Sequence, residues 1–325
     1  MRLLLIGAAM LAAIQSQPAA AADETGPREP SGKPKNPAIV ATPVDASTRT
    51  LRVAAIQFRS SRDAKVNLQR AVKQLEQCSR QGARVAVFPE CALTGYFDSD
   101  FMKKFSAEDL ATIEREMAAA CQVNKIYAIV GMPWRDGGKL YNSAVVIDPQ
   151  GRIVERYYKL HLAEAWPDPG DHLAVFPIDG TLCSVIVCHD ERYPELVRLP
   201  VLAGARCVFY LSHESDLKKE SKIDPYRAQI QARAVENSVF VVQANAPANH
   251  DTSGSHGHSR IIAPDGNIME EATIFDEDVL LATLELKRAT GNMARGSLKA
   301  GPLAEWWREG LKHVRTVEVG DAIKE

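Results

Sequence analysis

The sequence has no dense basic run. Its 39 Lys and Arg stand against 41 Asp and Glu, for a net charge of -2. That argues against nucleic acid or an anionic membrane surface as the main partner. Nothing in it resembles a transmembrane bundle: the apolar run near the start, Leu3 to Ile14, is too short to span a bilayer comfortably. No cysteine precedes Cys78, so no lipid-attachment site lies near the start. No repeat recurs at a solenoid period. The six cysteines do not form a stapling pattern. Cys183, Cys188 and Cys207 lie in or at the ends of strand-like runs. Cys78 and Cys121 fall near helix ends, and Cys91 follows Glu90. This reads as packing residues plus one special thiol, with a single disulfide left open.

What is present is the balance of a soluble globular protein, 46% hydrophobic and 25% charged. Four segments are expected. Residues 1–22 join Arg2, an apolar run and small residues at Ala20 and Ala22, the pattern of a secretory signal cleaved after Ala22. An uncleaved anchor is the alternative. A signal places the protein outside the cell or in a bacterial periplasm, with no membrane span after cleavage. Residues 23–50 form a Pro-rich linker that cannot bury enough apolar surface to order itself. Residues 51–286 carry the globular domain, and 287–325 a C-terminal arm. Trp306, Trp307 and Leu311 in that arm fit either a second subunit or a helix capping its own domain.

Within the domain, Leu51–Phe58, the helical pattern Asp63–Gln81 and Val85–Phe88 read as a βαβ unit, hence an α/β fold with parallel neighbours. Ser106 with Asp109 three residues on is a helix-start signal, with Leu110, Ile113 and Met117 as its apolar stripe. Strands are expected at 126–132, 141–147, 152–158, 181–187, 206–211 and 239–244. A helix opening at Pro225 runs to Asn237. Pro194 starts another, which Pro200 should kink or end. A hairpin turns at 264–267, and Val279–Leu286 closes the sheet.

Three of these strands run into an ionisable residue: Val85–Phe88 into Glu90, Arg152–Tyr158 into Lys159, and Thr181–Val187 into Cys188. Sites in open α/β sheets form at the carboxyl ends of strands. If the three strands are mutually parallel, a carboxylate, an amine and a thiol meet on one rim. Singly, Glu90 could cap a turn, Lys159 could be a solvated strand end and Cys188 could be packing. Together they make chemical sense. A thiol that is protonated at neutral pH needs a base, a carboxylate can shuttle its proton, and an ammonium can hold an oxyanion. The backbone N–H of His189 is a natural second oxyanion donor.

The segments VAVFPECALTGY, YNSAVVIDPQGRIVERYYKLHL, CSVIVCHDERYPELVR, RAVENSVFVVQAN and GHSRIIAPDGNI, in that order, resemble the nitrilase or carbon–nitrogen hydrolase superfamily. The resemblance spans about Leu51 to Leu286. It implies a four-layer αββα sandwich, extended by dimerisation, and often larger homo-oligomers. It implies a thiol hydrolase with the triad Glu90, Lys159 and Cys188, and chemistry that needs no metal or other cofactor. It also implies a second glutamate that positions the lysine. Glu164 is the candidate, although the segment after Lys159 looks shortened and Glu164 could instead be a solvated loop residue.

Cys188-His189-Asp190 is closer to the Cys-Tyr-Asp of amidases and carbamoylases than to the Cys-Trp-Glu usual in nitrile-hydrolysing members. A small amide or N-carbamoyl substrate is therefore expected, with nitrile hydrolysis, acyl transfer and a non-catalytic scaffold as alternatives. Tyr96, His189 and His213 are candidate substrate contacts. For His189 packing is the other reading, and for His213 a solvated loop. His256-Gly257-His258 is a weak metal signal without a convincing third ligand.

Overall fold

Thr50–Gln57 (β1) buries its two faces against different partners. Leu51, Val53 and Ala55 belong to one apolar cluster, Ala54 and Ile56 to another. This period-2 alternation separates the two cores. The structure is a computed structural model describing residues 50–215, 217, 223–299, 301–318 and 320–323. The expected signal segment, and all of the Pro-rich linker except Thr50, lie outside the described residues.

After β1 come α1 (Ala64–Arg80), β2 (Val85–Val87), α2 (Ser99–Lys103) and α3 (Ala107–Asn124). Then follow β3 (Tyr127–Asp136), β4 (Lys139–Ile147), β5 (Ile153–Tyr158), β6 (Leu173–Ile178) and β7 (Thr181–Val187). A 3₁₀ turn, Cys188–Arg192, leads to α4 (Glu195–Leu202), β8 (Cys207–Ser212), α5 (Ile223–Val235) and β9 (Phe240–Asn245). The chain continues with β10 (Arg260–Ile262), β11 (Ile268–Glu271), β12 (Asp278–Glu285), α6 (Asn292–Gly296), α7 (Leu303–Gly310) and β13 (Val314–Thr316).

Two mixed sheets result. One has the order β12-β1-β2-β3-β4-β5, the other β11-β10-β9-β8-β7-β6-β13. Val85, Val87, Ile129, Ala144 and Val146 of the first pack in one cluster with Val175, Val185, Phe209 and Val242 of the second. Their opposite faces are covered separately. Leu68, Leu75, Leu110 and Met117 of α1 and α3 pack on the first sheet, and Leu196, Val197, Ile230 and Ala234 of α4 and α5 on the second. The layers are thus α, β, β, α, as expected. β7, β8 and β9 are parallel, and β8 and β9 are buried throughout, which explains their near-continuous apolar sequences.

The helix starts follow local chemistry. The Asp63 side chain caps α1 through Lys65 N and Val66 N. Ser106 and Asp109 form a reciprocal capping box on α3. α4 begins after Pro194 and runs through Pro200, which cannot donate to Leu196, and ends only two residues later. α5 lies two residues earlier than expected at both ends, so Pro225 sits inside its first turn.

Three strand features depart from expectation. β6 was not expected at all. It joins β7 through Asp179-Gly180, both at positive φ (47° and 78°), a tight hairpin turn. β3 extends to Asp136 and folds back into β4 through Gly137-Gly138, also at positive φ. In the arm, β13 pairs in parallel with β6. Trp307 and Leu311 pack against the core, while Trp306 is 56% exposed.

Candidate active site

The three strand-end residues do not share one sheet. β2 and β5 run in the same direction within the six-stranded sheet, because β5 is antiparallel to β4 and β4 to β3. They deliver Glu90 and Lys159. β7 delivers Cys188 from the seven-stranded sheet. The single-rim expectation is corrected: the groups meet where two facing sheets end, because the sandwich aligns their carboxyl ends.

Two glycines permit close approach. A Cβ on Gly131 of β3 would lie 2.4 Å from Cys91 N and Pro89 O, so only glycine lets the Glu90 turn pass this strand. A Cβ on Gly170 would lie 2.2 Å from Tyr158 O, and Gly170 N donates to Lys159 O at 2.9 Å. That contact pins the loop after β5 beside the lysine.

Lys159 is fully buried. Its Nζ donates to Glu90 Oε1 at 3.0 Å and to Glu164 Oε1 and Oε2 at 3.0 and 2.9 Å. Asn142 Nδ2 donates to the same Oε1 atoms of both glutamates, at 2.6 Å each. Glu90 Oε2 accepts from His213 N at 3.0 Å. Burial pushes the Glu90 carboxyl up; Lys159 restrains the rise, Glu164 adds to it, and the value reached is about 7. Burial disfavours the charged Lys159, but Glu90, Cys188 and Glu164 outweigh it and hold the ammonium well above its ordinary range. The lysine is a permanent cation beside a carboxyl poised near neutrality.

Cys188 is the first residue of the turn after β7 and has φ 43°, a left-handed conformation that costs a non-glycine residue about 1–2 kcal/mol. Asp190 holds that turn. Its Oδ2 accepts from Val187 N at 3.1 Å and Tyr157 OH at 2.8 Å, and its Oδ1 from His161 N at 2.9 Å. A carboxylate from the nucleophile turn is thus tied to both sides of Lys159 in the chain. Cys188 Sγ donates to His213 O at 3.7 Å. Burial, then the nearby Glu90 charge, pushes the thiol well above its usual range, against the pull of Lys159. A thiol held neutral next to a carboxyl near 7 can give up its proton only to a base, and a base is within its field. The remaining five cysteines are free and buried.

Tyr96 packs against His213 with tilted rings, centroids 4.8 Å apart, and the charges of Glu90 and Glu164 reach its hydroxyl. Burial, with Lys159 and His256, lowers His213 to about 4, so it is neutral at pH 7. Its Nδ1 has no hydrogen-bond partner among the described residues. Tyr96 and His213 therefore join the site. His189 is half-buried and packs edge-on to Tyr193, 5.8 Å between centroids. Part of the polar loop expected to surround substrate, residues 216 and 218–222, lies outside the described residues. Among the described residues, no three His, Cys, Asp or Glu side chains are placed to hold a metal ion.

Sequence reasoning did not single out Asn142. It shares a strand face with Ala144 and Val146, and a polar residue on an apolar inward face was the available signal. It also passed over Glu214, which is buried, accepts a hydrogen bond from Tyr210 OH, and adds its charge to those felt by Cys188.

The two-sheet sandwich with helices on both outer faces is the fold of the nitrilase superfamily. Nit3 of Saccharomyces cerevisiae, described as a member of that superfamily, superposes with a TM-score of 0.68 at 24% identity, over 81% of this chain and 98% of its own. A Nesterenkonia amidase superposes at 0.67 and 22% identity, over 79% of this chain and 99% of its own. The chain belongs to the carbon–nitrogen hydrolase family, whose model matches residues 52–291. It is 27% identical over 257 residues to omega-amidase NIT2 of Mus musculus, covering 74% of this chain and 90% of the relative. It is 28% identical over 229 residues to 2-oxoglutaramate amidase of Bacillus subtilis, covering 69% and 86%. The chain is an enzyme of the carbon–nitrogen hydrolase class.

Proposed function

We propose that this protein hydrolyses the C–N bond of a small amide or N-carbamoyl compound through a thioester on Cys188. The observation that carries this reading is the buried Lys159 bridging Glu90 and Glu164 beside a neutral thiol. Glu90 takes the Sγ proton as sulfur bonds to the substrate carbonyl carbon. Lys159 and the His189 N–H hold the oxyanion. Glu90 then returns the proton to the leaving nitrogen, the C–N bond breaks, and a primary amide releases ammonia. Water next gives a proton to Glu90 and its oxygen to the acyl carbon. The C–S bond breaks, the acid leaves and Cys188 is reprotonated. Glu164 positions Lys159, and Tyr96, His189 and His213 face the acyl group. The amidase names of the relatives and the Cys188-His189-Asp190 turn both favour an amide over a nitrile.

The signal-like residues 1–22 support export, and the resemblance and the exposed Trp306 support a homodimer or larger homo-oligomer. N-terminal sequencing of the protein recovered from cells checks the first, and sedimentation the second.

The test is intact-mass spectrometry with matched amide, carbamoyl and nitrile panels. Amides should leave an acyl adduct on wild-type protein and none on Cys188→Ala. Turnover by the variant, or of nitriles alone, would sink the proposal. With Glu90 near 7, kcat/KM should fall about tenfold per pH unit below that point as the base becomes protonated. A profile flat from pH 5 to 8 would exclude Glu90 as the base.

A further inference from the structure

Asn142 is fully buried on β4, and every polar atom of its side chain is engaged. Its two N–H protons go to Glu90 Oε1 and Glu164 Oε1, at 2.6 Å each. Its Oδ1 accepts from Cys91 Sγ at 3.6 Å, and its backbone oxygen accepts from Lys159 N at 2.9 Å. The amide orientation is dictated by this network, since the flipped form would set oxygen against two carboxylate oxygens. Lys159 Nζ donates to the same two Oε1 atoms. Glu90 Oε1 therefore has both lone pairs taken, whereas among the described residues Oε2 accepts only from His213 N.

We propose that Asn142 is a positioning residue that holds Glu90 and Glu164 side by side and leaves Glu90 Oε2 as the oxygen that exchanges the proton. This rests on the reading of Glu90 as the base. Like charges so close repel, and the lysine alone supplies one cation for two carboxylates. The amide adds two donors without adding charge. The groups that face Glu90 are Lys159, Glu164, Cys188, Tyr96 and the backbone of His213. None of them replaces the amide.

The test measures the rate of Cys188 labelling by iodoacetamide against pH, by intact mass, which needs no knowledge of the substrate. Asn142→Leu keeps the heavy-atom branching and removes both donors. It should move the acid limb of labelling upward by about one pH unit, the scale of one hydrogen bond to a charged group. Asn142→Asp, which adds a third carboxyl, should move it at least as far. A folded Asn142→Leu protein with an unmoved limb would overturn the inference, because a merely structural loss does not shift the profile. Wild-type protein with ¹⁵N-labelled asparagine provides a reading that no misfolded variant can spoil. The Asn142 side-chain protons should exchange slowly and shift with the same midpoint as labelling, and a freely exchanging amide refutes the bridge. Failure of the hydrolase reading looks different: the limb and the amide still respond, but no amide is turned over.

Discussion

The two sheets contribute unlike things to one site. The six-stranded sheet brings charges: Glu90 and Lys159 at the ends of β2 and β5, Glu164 from the loop that follows, and Asn142 between them. The seven-stranded sheet brings a neutral thiol on a turn with positive φ, steadied by Asp190. On the charged side, buried Lys159 bridges the two glutamates. The thiol side is an apolar strand end whose one reactive atom relies on the opposite sheet for a base. The lesson is that the proposed reaction needs both halves, because the thiol and its proposed base, Glu90, come from different sheets.

Substitution on each side should break the comparison in a different way. Cys188→Ala should cost roughly 10⁴-fold or more in turnover, by analogy with loss of any nucleophile that acts with its base as a unit, with the melting temperature little changed. Lys159→Met should also abolish turnover, and in addition destabilise the fold by about 3–5 kcal/mol, because two carboxylates are left buried without their cation. Paired calorimetry of the two variants separates the sides. Equal melting temperatures would mean that the network is not the ionic anchor it looks like.

Gly131→Ala probes the backbone beneath the charged side. Its Cβ would lie 2.4 Å from Cys91 N and Pro89 O, so the Glu90 turn must shift, at about 1–3 kcal/mol of overpacking and with loss of rate. An unchanged kcat would show that the Glu90 turn tolerates displacement. Ser106→Ala, at the far end of α3, should cost only about 1 kcal/mol through its capping box and leave kcat unchanged. A change in kcat there would mean that the charged sheet is sensitive to its outer helices.

Much of this was legible in the residues. Glu90 and Cys188 each follow an apolar run and stand out against it, whereas Lys159 follows a strand that already holds Glu155 and Arg156 and was marked by its strand-end position. The capping box at Ser106 and Asp109 and the hairpin at 264–267 are local devices, so they survive without tertiary knowledge. β6 was legible in principle through Asp179-Gly180, a favoured hairpin pair, but Pro177 within the run obscures it. Asn142 left only the signal of a polar residue on an apolar strand face, which does not tell that its partners, 52 and 22 positions away along the chain, are the two glutamates.

By itself, the sequence determined the alternation of β and α, the three reactive groups and the family they resemble. These depend on side-chain period and strand-end chemistry, which act over a few residues. Only the tertiary structure decided that the thiol and the charges come from different sheets. It also decided that Lys159 is wholly buried, and that Asn142 and Glu164 complete its surroundings. Those facts arise from packing two twisted layers face to face, where desolvation and charge pairing act between residues distant in the chain.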